Sequence, residues 1–125
     1  MNAAAAHSPG FLALVNAARG QVREIQATAL AQELASQAQA ALIDVREDSE
    51  FAAGHVHGAE HLGKGVIERD IETRHPDKAQ PLYLYCGGGY RSALAARALQ
   101  QMGYTRVTSV DGGWKALKDL MPMAP

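Results

Sequence analysis

Apolar positions in this chain follow two periodicities, and their alternation sets the expected fold. Phe11, Leu12, Leu14, Val15 and Ala18 recur at helical spacing. Ser8 and Pro9 ahead of them suit an N-cap and a first helical position, and Gly20 suits the helix end. The pattern predicts a packing helix at the edge of a domain. "QVREIQ" (21–26) alternates briefly and reads as a short strand. Thr28 is expected to cap a helix over "ALAQELASQ" (29–37), in which Leu30 and Leu34 share a face. Two compact apolar runs, "ALIDV" (41–45) and "PLYLY" (81–85), read as strands buried on both sides. "SALAARALQQM" (92–102) predicts a helix with Leu94, Ala98, Leu99 and Met102 inward, stopped by Gly103. "RVTSV" (106–110) predicts another strand and "WKALKDL" (114–120) a last helix, with Pro122 and Pro125 ending regular structure. Strands alternating with helices predict an α/β fold: a mainly parallel central sheet with helices on both faces.

The polar stretches fit between these elements. Glu68, Arg69, Asp70, Glu72 and Arg74 make a mixed-charge segment that reads as a solvated helix or loop. "HPDKAQP" (75–81) reads as a turn-rich connection into a central strand. The chain divides into an N-terminal extension with its helix (1–21, beginning with a loose alanine-rich start over 1–7), a domain over 22–121 and a short tail over 122–125. No repeat or linker interrupts it.

Composition narrows the function. The 125 residues suit one domain with one core. Alanine is frequent and aromatic residues make up only 6%, so helices are expected to pack closely through small side chains. The formal net charge of -1 argues against broad nucleic-acid binding, which needs a clustered basic surface. One cysteine excludes an internal disulfide framework and any zinc site built from several thiolates. No stretch is long and apolar enough to span a membrane. No basic residue precedes Arg19, as a secretory signal would require, so a reducing, cytoplasmic setting is expected.

That one cysteine lies in "YLYCGGGYRS" (83–92), between an expected strand and an expected helix. In open α/β sheets, ligands bind beyond the carboxyl ends of the strands, which is where Cys86 would lie. Gly87, Gly88 and Gly89 allow unusual backbone angles and let N–H groups converge on one point. The following helix adds its unpaired N–H groups and the positive end of its dipole, and Arg91 adds a permanent charge. All of these favour an anion and therefore the thiolate form of Cys86. A buried structural cysteine is the plain alternative, but position, glycines and arginine agree on chemistry. A cysteine hydrolase needs a histidine base, and none of His7, His55, His57, His61 or His75 is assignable as one. The loop thus suits a nucleophile whose covalent product stays anionic on sulfur.

Three segments resemble the rhodanese family of sulfurtransferases, over roughly residues 22–120: "LIDVREDSEFAAGHVHGAEHL" (42–62), "YLYCGGGYRSALAARALQQMGY" (83–104) and "VTSVDGGWKAL" (107–117). The resemblance implies a single rhodanese domain that moves a sulfane sulfur from thiosulfate, mercaptopyruvate or a persulfide to a thiophilic acceptor. The carrier would be a Cys86 persulfide, cradled by the backbone of Gly87, Gly88, Gly89, Tyr90 and Arg91. Partners would be a small sulfur donor, a thiol or cyanide acceptor and a sulfur-relay protein; neither nucleic acid nor a membrane is expected, and no cofactor is required. Cys86 to Arg91 has the Cys-x(4)-Arg length of the sulfurtransferases. Related phosphatases and arsenate reductases use a loop one residue longer, and Ser92 stands where their arginine would be. A non-enzymatic binding module on the same fold is the other alternative. The loop interior holds no lysine or arginine, whereas thiosulfate-preferring members often place basic residues there. His57 stands where the family often has proline.

Other residues receive supporting roles. Asp44 and Arg46, at the end of an expected strand, are read as an ion pair that positions the loop. His55, His57 and His61 could bind metal by spacing, but Gly54 and Gly58 suggest turns and the family's turn explains His55 as a structural hydrogen-bonder, so no metal is assigned. Tyr90 is read as a cover for the loop and Trp114 as a packing anchor.

Overall fold

A computed structural model describes residues 7–125. The alanine-rich start expected over 1–7 lies, apart from His7, outside the described residues. The elements run α1 (Pro9–Arg19), β1 (Arg23–Gln26), α2 (Ala27–Ala35), β2 (Ala41–Asp44), α3 (Asp48–Ala53), β3 (His55–Val56), β4 (Glu60–His61), α4 (Ile67–Arg74), β5 (Leu82–Tyr85), α5 (Tyr90–Gln101), β6 (Val107–Asp111), α6 (Gly113–Leu117) and β7 (Met123–Ala124).

Five strands form one sheet in the order β1-β6-β5-β2-β4, and every pairing in it is parallel. β5 is the central strand and is buried along its whole length. Its side chains alternate between two cores. Leu82, Leu84 and Cys86 join Ile43, Val45, Ile67, Ile71 and Leu99 on one face. Tyr83 and Tyr85 join Ile25, Leu30, Leu42, Val110 and Leu117 on the other. Both faces are thus covered, which is why this run is apolar throughout rather than alternating. The mixed-charge segment becomes α4, solvated except for Ile67 and Ile71, which drop into the first core.

Several expectations need correction. Thr28 does not cap α2: the helix begins at Ala27 with Gln26 as its extended N-cap, because β1 runs directly into it. Helix α5 begins two residues before Ser92, and its buried face is Ser92, Ala93, Ala95, Ala96 and Leu99 rather than Leu94 and Ala98. The cause is two-sided packing. Small side chains bring α5 close to the sheet, while Ala93 and Leu94 turn to Val15 and Ala18 of α1 in a third cluster. The prolines at 122 and 125 do not end regular structure. Met123 and Ala124 pair antiparallel with Val56 and His55, so the final residues are held as β7.

The N-terminal helix starts as expected, with Ser8 as N-cap and Pro9 in its first turn, although the Ser8 side chain makes no capping hydrogen bond. It lies on α5, with Val15 fully buried and Leu14 64% exposed. No helix among the described residues is long and apolar enough to cross a membrane.

Candidate functional site

Cys86 follows β5 directly and is 1% exposed. Two backbone N–H groups converge on its sulfur, from Gly89 at 3.1 Å and Ser92 at 3.4 Å. The Ser92 hydroxyl lies 3.5 Å from Sγ and is itself bonded to Ser109 Oγ at 2.8 Å. These N–H groups belong to the first turn of α5, where helical partners are missing and the dipole is positive. Gly89 reaches that turn with φ +102°, in the left-handed region that favours glycine.

The loop carbonyls point the other way. Cys86 O accepts the Trp114 N–H at 2.7 Å and Gly87 O accepts the Lys115 N–H at 3.1 Å. The start of α6 therefore draws the carbonyls outward. Gly113 makes this approach: a Cβ there would stand 2.4 Å from Cys86 O, and its φ is +53°. The Gly-Gly-Trp segment at 112–114 thus serves the loop as well as the core.

Arg91 is not a bare cation over the thiol. Its guanidinium donates to both oxygens of Glu50, at 2.7 and 3.1 Å. Glu50 also closes the capping box of α3, accepting the Glu47 N–H at 2.9 Å. The Arg91 bond, outweighing burial and joined by the Glu47 N–H, holds the Glu50 carboxyl down to about 2. Glu50 carries no motif that marks it in the sequence beyond its place in that capping box.

Asp44 and Arg46 form a buried pair, 0% and 4% exposed. Arg46 Nε and Nη2 meet the Asp44 carboxylate at 2.8–3.1 Å, and Nη2 also donates to Gly54 O at 2.7 Å. The guanidinium lies 5.1 Å from the centre of the Trp114 ring. The pair therefore ties the end of β2 to the Gly54 turn and supports the ring that precedes Lys115.

His55, His61 and His75 have structural hydrogen-bond partners. His55 Nδ1 bonds Phe51 O at 2.9 Å while its ring stacks on Phe51, and His61 Nε2 bonds Arg46 O at 2.8 Å. His75 bonds Glu60 and Gln80, and His57 is exposed. No group of three or more His, Cys, Asp or Glu side chains among the described residues is placed to hold a metal ion.

Above the sulfur opens a cavity of about 610 Å3, lined by Cys86, Gly87, Gly88 and Arg91 and also by residues that sequence reasoning did not assign to it: His7, Phe11, Glu50, Gly112 and Lys115. Tyr90 forms part of the wall. Sequence proximity signals none of the added residues, because they arrive from His7 and α1, from α3 and from the start of α6.

The family model of the rhodanese-like domain matches residues 26–120. This chain belongs to that family. The rhodanese-like domain is 37% identical over 92 residues to the thiosulfate sulfurtransferase GlpE of Ectopseudomonas mendocina, covering 74% of this chain and 82% of that protein. It is 40% identical over 76 residues to the uncharacterized protein YqhL of Bacillus subtilis, covering 61% of this chain and 59% of YqhL. Among solved structures, it is similar to a Rhodopseudomonas palustris protein described as of unknown function and a possible tyrosine phosphatase. That likeness has a TM-score of 0.77 at 26% identity, over 94% of this chain and 96% of that one. The parallel sheet and flanking helices are accordingly those of a rhodanese-like domain.

Proposed function

We propose that this rhodanese-like domain is a sulfurtransferase that carries sulfane sulfur as a persulfide on Cys86. The observation that supports it best is the setting of Sγ: buried, met by the N–H groups of Gly89 and Ser92, and open to a cavity. In the first step the Cys86 thiolate attacks the outer sulfur of a donor such as thiosulfate. The donor's S–S bond breaks, and sulfite leaves with the electron pair. The new terminal sulfur keeps a negative charge, which the loop N–H groups and the α5 dipole stabilise. In the second step cyanide in an assay, or a thiol or sulfur-relay protein in the cell, takes that sulfur and returns the Cys86 thiolate. Glycines at 87 to 89 leave room for the added sulfur, and Asp44 and Arg46 act as positioning residues.

The description of the Rhodopseudomonas protein as a possible phosphatase favours a second reading, an oxyanion hydrolase. A six-residue ring from Cys86 to Arg91, whose arginine is already matched by Glu50, suits one added sulfur better than a tetrahedral phosphate. Initial rates of thiocyanate formation, with donor and cyanide both varied, separate the two readings. Parallel double-reciprocal lines and no activity in Cys86→Ser are expected. Cys86-dependent hydrolysis of an aryl phosphate without thiocyanate formation would replace this reading with the hydrolase.

A further inference from the structure

The cavity over Cys86 is larger than a small inorganic anion needs. At about 610 Å3 it falls within the ~300–1,000 Å3 typical of pockets for organic ligands. Part of its wall is aromatic. His7 and Phe11, both ahead of the family match, stand with Tyr90 at ring-centre separations of 5.3 Å for His7–Phe11, 4.4 Å for His7–Tyr90 and 6.3 Å for Phe11–Tyr90. The three rings are half-buried and line the cavity.

This wall is anchored. Val15 and Ala18 seat α1 against Ala93 of α5. Arg19, at the end of α1, lies 4.8 Å from the Tyr90 ring centre and reaches Gly89 O at 3.5 Å. The loop that holds the sulfur and the helix that supplies the wall are therefore fixed to each other.

Charge on the same cavity is uneven. Arg91 is matched by Glu50. Lys115 is exposed and takes part in none of the ion pairs among the described residues. Its backbone is bound to Gly87 O, so this ammonium group is carried on the same frame as the loop. The site thus combines an N–H ring, one uncompensated cation and an aromatic wall.

We propose that α1 is part of the substrate site, and that His7 and Phe11 with Tyr90 select an organic donor whose anionic sulfonyl head lies toward Lys115 and whose apolar body lies on the rings. An organic thiosulfonate has this chemistry. The Cys86 thiolate attacks its terminal sulfur, the S–S bond breaks, and the organic sulfinate leaves with the electron pair. The proposal rests on the persulfide reading above and adds to it the residues that discriminate between donors.

The test compares benzenethiosulfonate with methanethiosulfonate as donors, with cyanide as acceptor and thiocyanate as the readout. Phe11→Ala is expected to lower kcat/KM for the benzene compound about fivefold more than for the methane compound. His7→Ala, outside the helix, should shift the ratio in the same direction and serves if Phe11→Ala does not fold. Lys115→Gln should raise KM for both donors alike, by about threefold, because it removes charge and not ring contact. Equal effects of Phe11→Ala and His7→Ala on the two donors would overturn the selective wall while leaving the persulfide intact. Failure of every donor to yield thiocyanate through Cys86 would overturn the persulfide reading and this one with it.

Discussion

Asp44 has no exposed surface, and its carboxylate is tolerable there because Arg46 meets both oxygens. Asp44→Ala would leave a buried guanidinium without its partner and is expected to cost about 3–5 kcal/mol in urea unfolding. A loss below about 1 kcal/mol would mean that the pair behaves like a solvated surface pair. Glu50 illustrates a different effect. Its carboxyl is held down to about 2 from an ordinary value of 4.5, and Glu33 is likewise held to about 2 by Arg23 and Tyr83. A carboxyl depressed on folding binds its proton more weakly in the native state. Its contribution is therefore complete above pH 4.5 and is lost as pH falls toward 2. The melting temperature should fall as pH drops across that window, and Glu50→Gln should be less stable than the parent at pH 7 but converge with it near pH 2. A constant gap between the two at all pH values would contradict the assignment. Cys86 and its glycines are legible in the sequence because the chemistry is contiguous there. Glu50, Lys115, Phe11 and His7 are not, because they reach the cavity from other elements.

Among the elements, β2 and β5 stand out as apolar runs because both faces of each are covered. α3, β3 and β4 do not stand out, being too short for either periodicity to develop. The inward face of α5 is ambiguous in the sequence for a physical reason: alanine fits both the sheet side and the α1 side, and only packing decides between them. α6 is the element whose role exceeds its length. Its five residues hold the Cys86 and Gly87 carbonyls, and Gly113 permits that contact. Gly113→Ala introduces a Cβ against Cys86 O at a positive φ, so a loss of about 2–4 kcal/mol is expected, with slower sulfur transfer in the fraction that folds. Differential scanning calorimetry of the variant checks the first effect; an unchanged melting temperature would show that α6 can move away without penalty.

At the scale of the whole molecule, the parallel order β1-β6-β5-β2-β4 places Cys86 just past the central strand. Helix α5 then approaches from one face and α6 from the other, each presenting backbone N–H groups to the same loop: α5 to the sulfur and α6 to the carbonyls. Helix α1 adds an outer wall, so the cavity draws on the chain from His7 to Lys115. This geometry makes a testable statement about sulfur itself. The most direct measurement is the intact mass of the protein after incubation with thiosulfate or benzenethiosulfonate and removal of excess donor. A gain of one sulfur atom is expected, released by cyanide and absent in Cys86→Ser. An unchanged mass with every donor, in protein whose Cys86 thiol is shown to be free by alkylation, would contradict a persulfide carrier at this position.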